Sequence, residues 1–396
     1  MSAHFLTFSP LDLYLAGITG GLFLIRLLYY IIVYARPLRA AGKGRSMGPV
    51  VEGKDLPPVS VIVYTHGNPE DLRKNLPALL TQDYGTYEVI VVNDGSDTES
   101  EDVLKLFSHQ YKNLYYTYVP VDTQYLSHKK LALMMGIKAA KHDWLLFTEA
   151  DCRPESSKWI EAMAASYDRP QAELVIGFCC YRHTEGILHK LIAYDNLVNG
   201  LWMIASALAR HPYTGDGRNL SYRKTLFFAH KGYSRSLNLH AGADDLFVNE
   251  VADAVNTEVC YSPSSIVEMN KIENFNIWRE MKISRAATRH FYKGGTLFFH
   301  QSERVAGLLF GMAAIVSFIL GLAGNILLSV LALVLCLLRF TVKAVIFKKS
   351  ALLLQQKPAT AWLPLLEIIH PACEVYIRVY RMFNGKKDFT NNATIK

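Results

Sequence analysis

This chain lacks the marks of a zinc module, a disulfide scaffold or a nucleic-acid reader. Its six cysteines, Cys152, Cys179, Cys180, Cys260, Cys336 and Cys373, show no zinc-ligand spacing, and the adjacent pair is poorly placed to bridge. Reduced thiols are therefore the default. The formal net charge is +7, yet no basic stripe with interleaved aromatics accompanies it. That excludes nucleic acid as the expected partner and favours anionic headgroups and phosphates. Met1 to Pro10 contains neither Lys nor Arg. A secretory leader carries positive charge ahead of a shorter apolar core, so the long apolar stretch that follows is expected to stay as an anchor. Charge is also missing throughout Val305 to Leu338.

What is present at both ends is membrane-like. Leu11 to Tyr34 carries two charges, Asp12 at its very start and Arg26 as the one break within it, and suffices for a tilted span. Val305 to Leu338 would be ~50 Å long as one helix, too long for a bilayer. Gly321, Gly324 and Asn325 offer a turn, predicting two spans, the second running on towards Phe347. Ala361 to Phe383 mixes apolar residues with Pro364, Glu367, Pro371, Arg378 and Arg381, and an interfacial or re-entrant helix pair is expected there. Arg36, Arg39, Lys43 and Arg45 after the first span, and Lys343, Lys348 and Lys349 closing the last, read as cytoplasmic. The expected organisation is an anchor over 1–40, a soluble domain over 57–300, a transmembrane hairpin over 301–349, and interfacial helices with a basic tail over 350–396. The chain is expected to be a multi-pass inner-membrane protein with its soluble domain in the cytoplasm. Ile187 to Ala209 fits an amphipathic helix packed either on the membrane surface or into the core, since periodicity does not separate the two.

The central region alternates strand and helix signals. Val59 to Tyr64, Tyr87 to Val92, Leu114 to Val119 and Trp144 to Thr148 read as strands, with helical patterns at Glu70 to Thr81, Glu99 to Gln110 and Ser127 to Lys141. The fold class is α/β, a Rossmann-like, mainly parallel sheet. Such sheets bind ligands beyond the carboxyl ends of their strands. Thr65 to Asn68, Asn93 to Asp97 and Glu149 to Asp151 fall on that edge, making Thr65 and Asn68 candidates for the donor side. The carboxylates of Glu149 and Asp151 are placed to hold Mg²⁺ or Mn²⁺, which binds few protein oxygens plus substrate phosphates.

Val59-Ser-Val-Ile-Val-Tyr-Thr65, Val91-Val-Asn-Asp-Gly-Ser-Asp97 and Phe147-Thr-Glu-Ala-Asp151 resemble, in order and spacing, the signatures of membrane-anchored, bacterial-type family 2 glycosyltransferases, whose fold is called GT-A. The resemblance covers about Pro57 to Tyr292. It implies that Asp94 contacts the nucleotide and that Glu149 to Asp151 holds the metal on the donor diphosphate, with Glu where the common DxD has Asp. His128-Lys-Lys-Leu-Ala-Leu-Met-Met-Gly136 is similar to a helix that brings a lysine, here Lys129 or Lys130, to donor phosphate or sugar. Gly215-Asp-Gly-Arg-Asn-Leu-Ser-Tyr-Arg-Lys224 resembles the segment lining the acceptor side, implying roles for Gly217 and Asn219. Gly242-Ala-Asp-Asp-Leu-Phe247 resembles the catalytic acidic motif, with Asp244 on the general base and Asp245 its neighbour. The QxxRW signature is degraded: aligned on Trp278, an acceptor-side candidate, Met281, Ser284 and Arg285 stand in place of Gln, Arg and Trp. Arg285 and Arg289 remain candidates to neutralise the leaving diphosphate.

The resemblance implies an inverting transferase using a nucleotide-diphosphate sugar, a UDP- or GDP-sugar, with a lipid-linked acceptor. A processive polysaccharide synthase and a silent membrane scaffold are the alternatives. The loss of QxxRW and the small number of spans argue against the first, and the joint survival of nucleotide and metal positions against the second.

Overall fold

The computed structural model describes residues 8–45, 56–95, 97–119, 127–237 and 239–384. The chain enters through α1 (Pro10–Tyr29), where Ser9 and Asp12 form a capping box that satisfies two of the free N–H groups at the helix start. One π-helical stretch, Tyr30–Tyr34, leads into α2 (Arg36–Ala41). The expected first span is thus a continuous helix with a wide turn at its carboxyl end.

The α/β expectation is met by β1 (Val59–Thr65), α3 (Pro69–Leu80), β2 (Tyr87–Asn93), α4 (Thr98–Gln110), β3 (Leu114–Tyr118), α5 (His128–Ala139) and β4 (Trp144–Glu149). These four strands run parallel in the order β3-β2-β1-β4. The chain steps outward from β1 to β3 and then returns to the other side of β1, which puts the switch point, and hence the ligand crevice, at the ends of β1 and β4. Both faces of the strands are covered. Val59, Val61 and Val63 pack with Leu72, Leu76 and Leu79 of α3, while Ile62 and Phe147 pack with Leu133 and Ile137 of α5. That is why these strands read as near-continuous apolar runs rather than alternating ones. Gly136 lets α5 sit close, since a Cβ there would lie 2.8 Å from Ile62.

Beyond β4 come β5 (Cys152–Pro154), α6 (Trp159–Ala164), β6 (Leu174–Ile176), β7 (Cys179–Tyr181), α7 (Ile187–Leu208), β8 (Leu220–Arg223), α8 (Lys224–Ala229), α9 (Asp244–Val251), β9 (Thr257–Val259), β10 (Val267–Met269) and α10 (Phe275–Thr288). Strand β8 joins β4 antiparallel and continues the large sheet to β6 and β9, while β5, β10 and β7 make a second sheet. Helix α7 is part of the core. Leu191, Ile192, Leu197, Leu201 and Ile204 are all buried, and 78% of its most apolar window is covered. Of the two packings the sequence allowed for Ile187 to Ala209, the membrane-surface one is overturned: its apolar stripe meets the domain rather than lipid.

The uncharged stretch folds as a hairpin, α11 (Thr296–Ala323) and α12 (Ile326–Leu353). Asn325 caps α12 by accepting from the Leu327 N–H at 3.1 Å. Gly321 allows the close crossing, because a Cβ there would lie 2.5 Å from the Ser329 nitrogen. Four helices are long and apolar enough to cross a membrane among the described residues, α1, α7, α11 and α12; all but α7 leave most of their apolar surface outward. The last element, α13 (Leu363–Asn384), corrects the expected helix pair, for it is one helix running through Pro371. His370 and Glu374, one turn apart across the proline, are both tied to the domain, which offsets the backbone hydrogen bond that proline removes. Its outer stripe exposes Ile368, Val375, Met382 and Phe383. The expected basic tail lies outside the described residues.

The guanidinium of Arg26 on α1 meets the Glu303 carboxylate on α11, donates to the Glu303 carbonyl at 2.9 Å and to the Tyr30 hydroxyl at 2.7 Å. Both side chains are 6% exposed. Removing one member of such a buried pair leaves an uncompensated charge, whereas replacing both by apolar groups is near neutral. Glu303→Ala is expected to destabilise the detergent-solubilised protein by ~3 kcal/mol, and Arg26→Met with Glu303→Met to recover most of it. Thermal unfolding of the two variants checks this, and a double variant no more stable than Glu303→Ala would contradict it.

Candidate active site

The parallel register sets three strand ends side by side, pairing Thr65 with Asn93 and Tyr64 with Glu149. Asp94 follows β2 directly, its N–H bonded to the Thr65 carbonyl at 2.8 Å. Its carboxylate, 3% exposed, accepts from the Tyr64 hydroxyl at 2.9 Å and pairs with His128 Nδ1 at 2.8 Å. The two loops interlock at glycine. A Cβ on Gly95 would come within 2.7 Å of the Gly67 nitrogen, and Gly67 itself has φ +55°, a backbone region that L side chains rarely adopt.

Next to Asp94 lies a dense charge cluster. Lys129, from the first turn of α5, reaches Glu149 Oε1 at 2.6 Å and Asp244 Oδ2 at 3.3 Å. Arg218 Nε stands 3.1 Å from Glu149 Oε2 and 4.0 Å from Asp151 Oδ1, and its Nη1 3.8 Å from Asp216. Arg285 Nη2 bonds Asp216 Oδ2 at 3.0 Å. Burial pushes the Glu149 carboxyl up, but Arg218 and Lys129 outweigh it and hold the group down to about 2. Asp216 is lowered likewise, against its burial, by Arg218 and Arg285. Asp151 and Asp244 are raised, each first by burial and then by neighbouring carboxylates, with Arg218 and Lys129 respectively opposing. Two carboxylates held charged beside two pushed towards neutrality is the division of roles found where acid–base chemistry is done.

Asp244 and Asp245, adjacent at the start of α9, face different partners. Asp244 turns to Lys129 and to Gly217, where any Cβ would lie within 2.4 Å of its carboxylate; glycine is what lets the chain pass. Asp245 accepts from the Thr288 hydroxyl at 2.5 Å and the Tyr292 hydroxyl at 2.8 Å, tying α9 to the end of α10. A cavity of about 580 Å³ has Lys129, Glu149, Arg218, Asp244, Asp245 and Arg285 in its wall and continues to Met203 of α7 and Leu297 of α11. Asp94 and Asp151 lie outside that wall.

Several sequence candidates stand elsewhere. Lys130 is fully buried and donates to the carbonyls of Ser236, Leu239 and Ala241; burial lowers its amine to about 8, and it fixes the loop before α9 instead of meeting a ligand. Asn219, also fully buried, accepts from Trp159 Nε1 and donates to the carbonyls of Phe178 and Ser265, so it braces the two sheets and does not line the acceptor side. Trp278 is 2% exposed, lies outside the cavity wall and packs under Lys282. Asn68 caps α3 through Asp71, and the Thr65 hydroxyl is buried. Asn68 thus serves the turn, while the Thr65 hydroxyl has no hydrogen-bond partner among the described residues. Arg218 and Asp216 were missed, although both lie inside the glycine segment read from sequence, where two charges in a Gly-Asp-Gly-Arg turn were the available signal. His128 was missed too.

A divalent metal is implied by the acidic triplet, and the donor set bears on whether it fits. Asp151 offers a hard oxygen at a side chain 36% exposed, whereas Glu149 is already neutralised by Lys129 and Arg218. This suits a cation that takes one or two carboxylates and completes its shell with water and substrate phosphate.

Residues 60–203 match the family model described as Glycosyl transferase family 2. Glycosyltransferase AglE of Haloferax volcanii is 31% identical over 133 residues, 33% of this chain and 42% of that protein. The poly-beta-1,6-N-acetyl-D-glucosamine synthase of Staphylococcus epidermidis is 24% identical over 199 residues, 49% of this chain and 44% of the synthase. The chain thus spans less than half the length of these curated relatives. The mannosyltransferase PcManGT from Pyrobaculum calidifontis, solved in complex with GDP-Man and Mn²⁺, covers 94% of this chain and all of its own with a TM-score of 0.59 at 17% identity, which establishes a common GT-A fold. With the matched segment, the sheet and its switch-point carboxylates in agreement, residues 60–203 form a family 2 glycosyltransferase domain within this chain.

Proposed function

We propose that this protein is an inverting transferase that moves a sugar from a nucleotide-diphosphate donor to a lipid-linked acceptor at the cytoplasmic face of the membrane. The observation that carries the reading is the bridge Glu149–Lys129–Asp244, which holds a carboxylate suited to a general base against the donor edge, in the wall of a cavity that reaches the membrane helices. The PcManGT complex with GDP-Man and Mn²⁺ supports a nucleotide-sugar donor and a divalent cation. The basic flanks of the spans support the cytoplasmic orientation.

In this mechanism Asp94 receives the nucleoside. Asp151, with Glu149, would hold Mg²⁺ or Mn²⁺, which when bound supplies positive charge to the diphosphate. Lys129, Arg218 and Arg285 supply the same charge from the protein. Asp244 accepts the proton of the acceptor hydroxyl as its oxygen bonds to the anomeric carbon. The bond from that carbon to the diphosphate oxygen breaks and the nucleoside diphosphate departs. A single displacement inverts the anomeric centre and needs no covalent sugar–enzyme intermediate. Asp245, engaged by two hydroxyls, holds α9 in place.

Similarity to the Staphylococcus epidermidis synthase favours a second reading, processive polymerisation. Product length separates the two.

Asp94→Ala and Asp151→Ala should each weaken donor binding, the first with and without Mn²⁺ and the second mainly when Mn²⁺ is present. Calorimetric titration decides it, and unchanged affinity in both would remove the donor site from this edge. Asp244→Asn should lower transfer by ~10² to 10⁴ at near-normal donor affinity, as loss of a general base does, with Asp245→Asn milder. A live Asp244→Asn beside a dead Asp245→Asn would move the base to Asp245. For orientation, a membrane-impermeant thiol reagent applied to intact cells should modify a cysteine engineered at Asn325 but not one at Ser156; the reverse pattern sinks the cytoplasmic model.

A further inference from the structure

The cavity continues past the reacting carboxylates. Its wall follows α7 through Asn199 and Met203 and ends on Leu297 and His300, in the first turns of α11. His300 is 1% exposed and stacks on Trp202 with ring centroids 4.6 Å apart and planes 21° from parallel. Its Nε2 has no hydrogen-bond partner among the described residues. Leaving such a group unsatisfied is costly, and a ligand accepting or donating there would relieve the cost. The charge around the ring is mostly of one sign. Arg304, Arg289 and Lys282 all act on it, with Asp195 the opposing group. Lys282 is committed to Asp195 and Glu374. Arg304 is bound to Glu374 through Nη1 at 3.0 Å, but its Nη2 is buried without a hydrogen-bond partner among the described residues. Arg289 lines the cavity and forms no ion pair among the described residues. The acidic groups of this wall are already engaged, Asp245 by Thr288 and Tyr292, and Glu280 by Arg279. Phe298 and Phe299, exposed beside His300 on α11, mark where the cavity meets the surface of an apolar span.

An imidazole nitrogen on the cavity wall, an arginine on the same wall in no ion pair, and a guanidinium edge one turn on along α11 and outside that wall, the first and last without a partner among the described residues, are the donor set of a phosphate site. We propose that His300, Arg289 and Arg304 bind the phosphate group through which the acceptor is joined to its lipid. This rests on the lipid-linked reading above and adds to it where the lipid phosphate is held. Anchoring that phosphate fixes the distance from bilayer to Asp244, so acceptors are selected by the number of bonds between phosphate and reactive hydroxyl.

The stacked indole supplies a readout independent of transfer. The full-length protein in detergent is titrated with farnesyl phosphate, farnesol and inorganic phosphate while tryptophan fluorescence is followed, with Trp202→Phe identifying the responding indole. Farnesyl phosphate is expected to give a saturable change that is lost in Trp202→Phe, farnesol none, and inorganic phosphate the same change at tenfold or higher concentration. His300→Phe, which keeps a ring but no nitrogen, should weaken farnesyl phosphate at least tenfold and leave calorimetric donor affinity unchanged, and Arg289→Gln should weaken farnesyl phosphate at least tenfold. Equal affinity for inorganic and farnesyl phosphate would overturn the lipid assignment. Unaltered farnesyl phosphate binding in both variants, or no phosphate response in a protein that binds donor normally, would overturn the subsite and spare the donor reading. Failure to bind donor as well would overturn the proposed function and the subsite with it.

Discussion

The site depends on charge cancellation inside a crevice. The fold brings Glu149, Asp151, Asp216 and Asp244 to one place, and like carboxylates with little water between them repel strongly. Lys129, Arg218 and Arg285 make that assembly stable, each between two acids or in reach of them. The same cations suit a diphosphate, which offers them charge of the same sign. In the proposed mechanism, donor binding is an exchange of anionic partners around cations that hardly need to be recruited, with the electrostatic preorganisation already present in the fold.

A second ionic knot lies outside the cavity wall. Asp195 of α7, His370 and Glu374 of α13 lie close enough together to resemble a metal site. The Lys282 ammonium already occupies that space, 2.7 Å from Asp195 and in contact with Glu374, so the cation is supplied by α10. Helices α7, α10, α11 and α13 are thereby pinned at one point, and α10 carries Arg285 into the cavity from there. A buried network of this kind is costly to half-form. It explains why α13, despite its proline and its apolar outer stripe, stays one helix at a fixed angle.

The strands, the helices between them and the spans were legible in the sequence because each obeys a strong local rule: β-branched runs buried on both faces, 3.6-residue periodicity, absence of charge. Positions set by chain order along the sheet edge, Asp94, Glu149 and Asp151, were legible for the same reason. What sequence did not reveal was direction. Lys129 and Lys130 are neighbours on one helix, yet one faces the acids and the other a loop of carbonyls, and the choice depends on which side of α5 the 236–241 loop crosses. Asn219 and Arg218 are likewise adjacent in a turn, and alternate faces send one into the scaffold and the other into the site. The covering of α7 depended on how α2, α10 and α13 close over it, contacts made between residues far apart in sequence.

The pairing of Arg26 with Glu303 also has a consequence in time. The two residues are separated by 277 positions, and at ~5–20 residues per second of synthesis the arginine waits roughly 15 to 55 s for its partner. If the first helix enters a bilayer during that interval, its guanidinium would be served by Tyr30 and by reaching towards the surface. The whole catalytic domain is made meanwhile. The last hairpin then does more than add two spans: its arrival converts a provisional anchor into a fixed one, so a ribosome that stops short of α11 leaves behind a finished domain on an unfinished mooring.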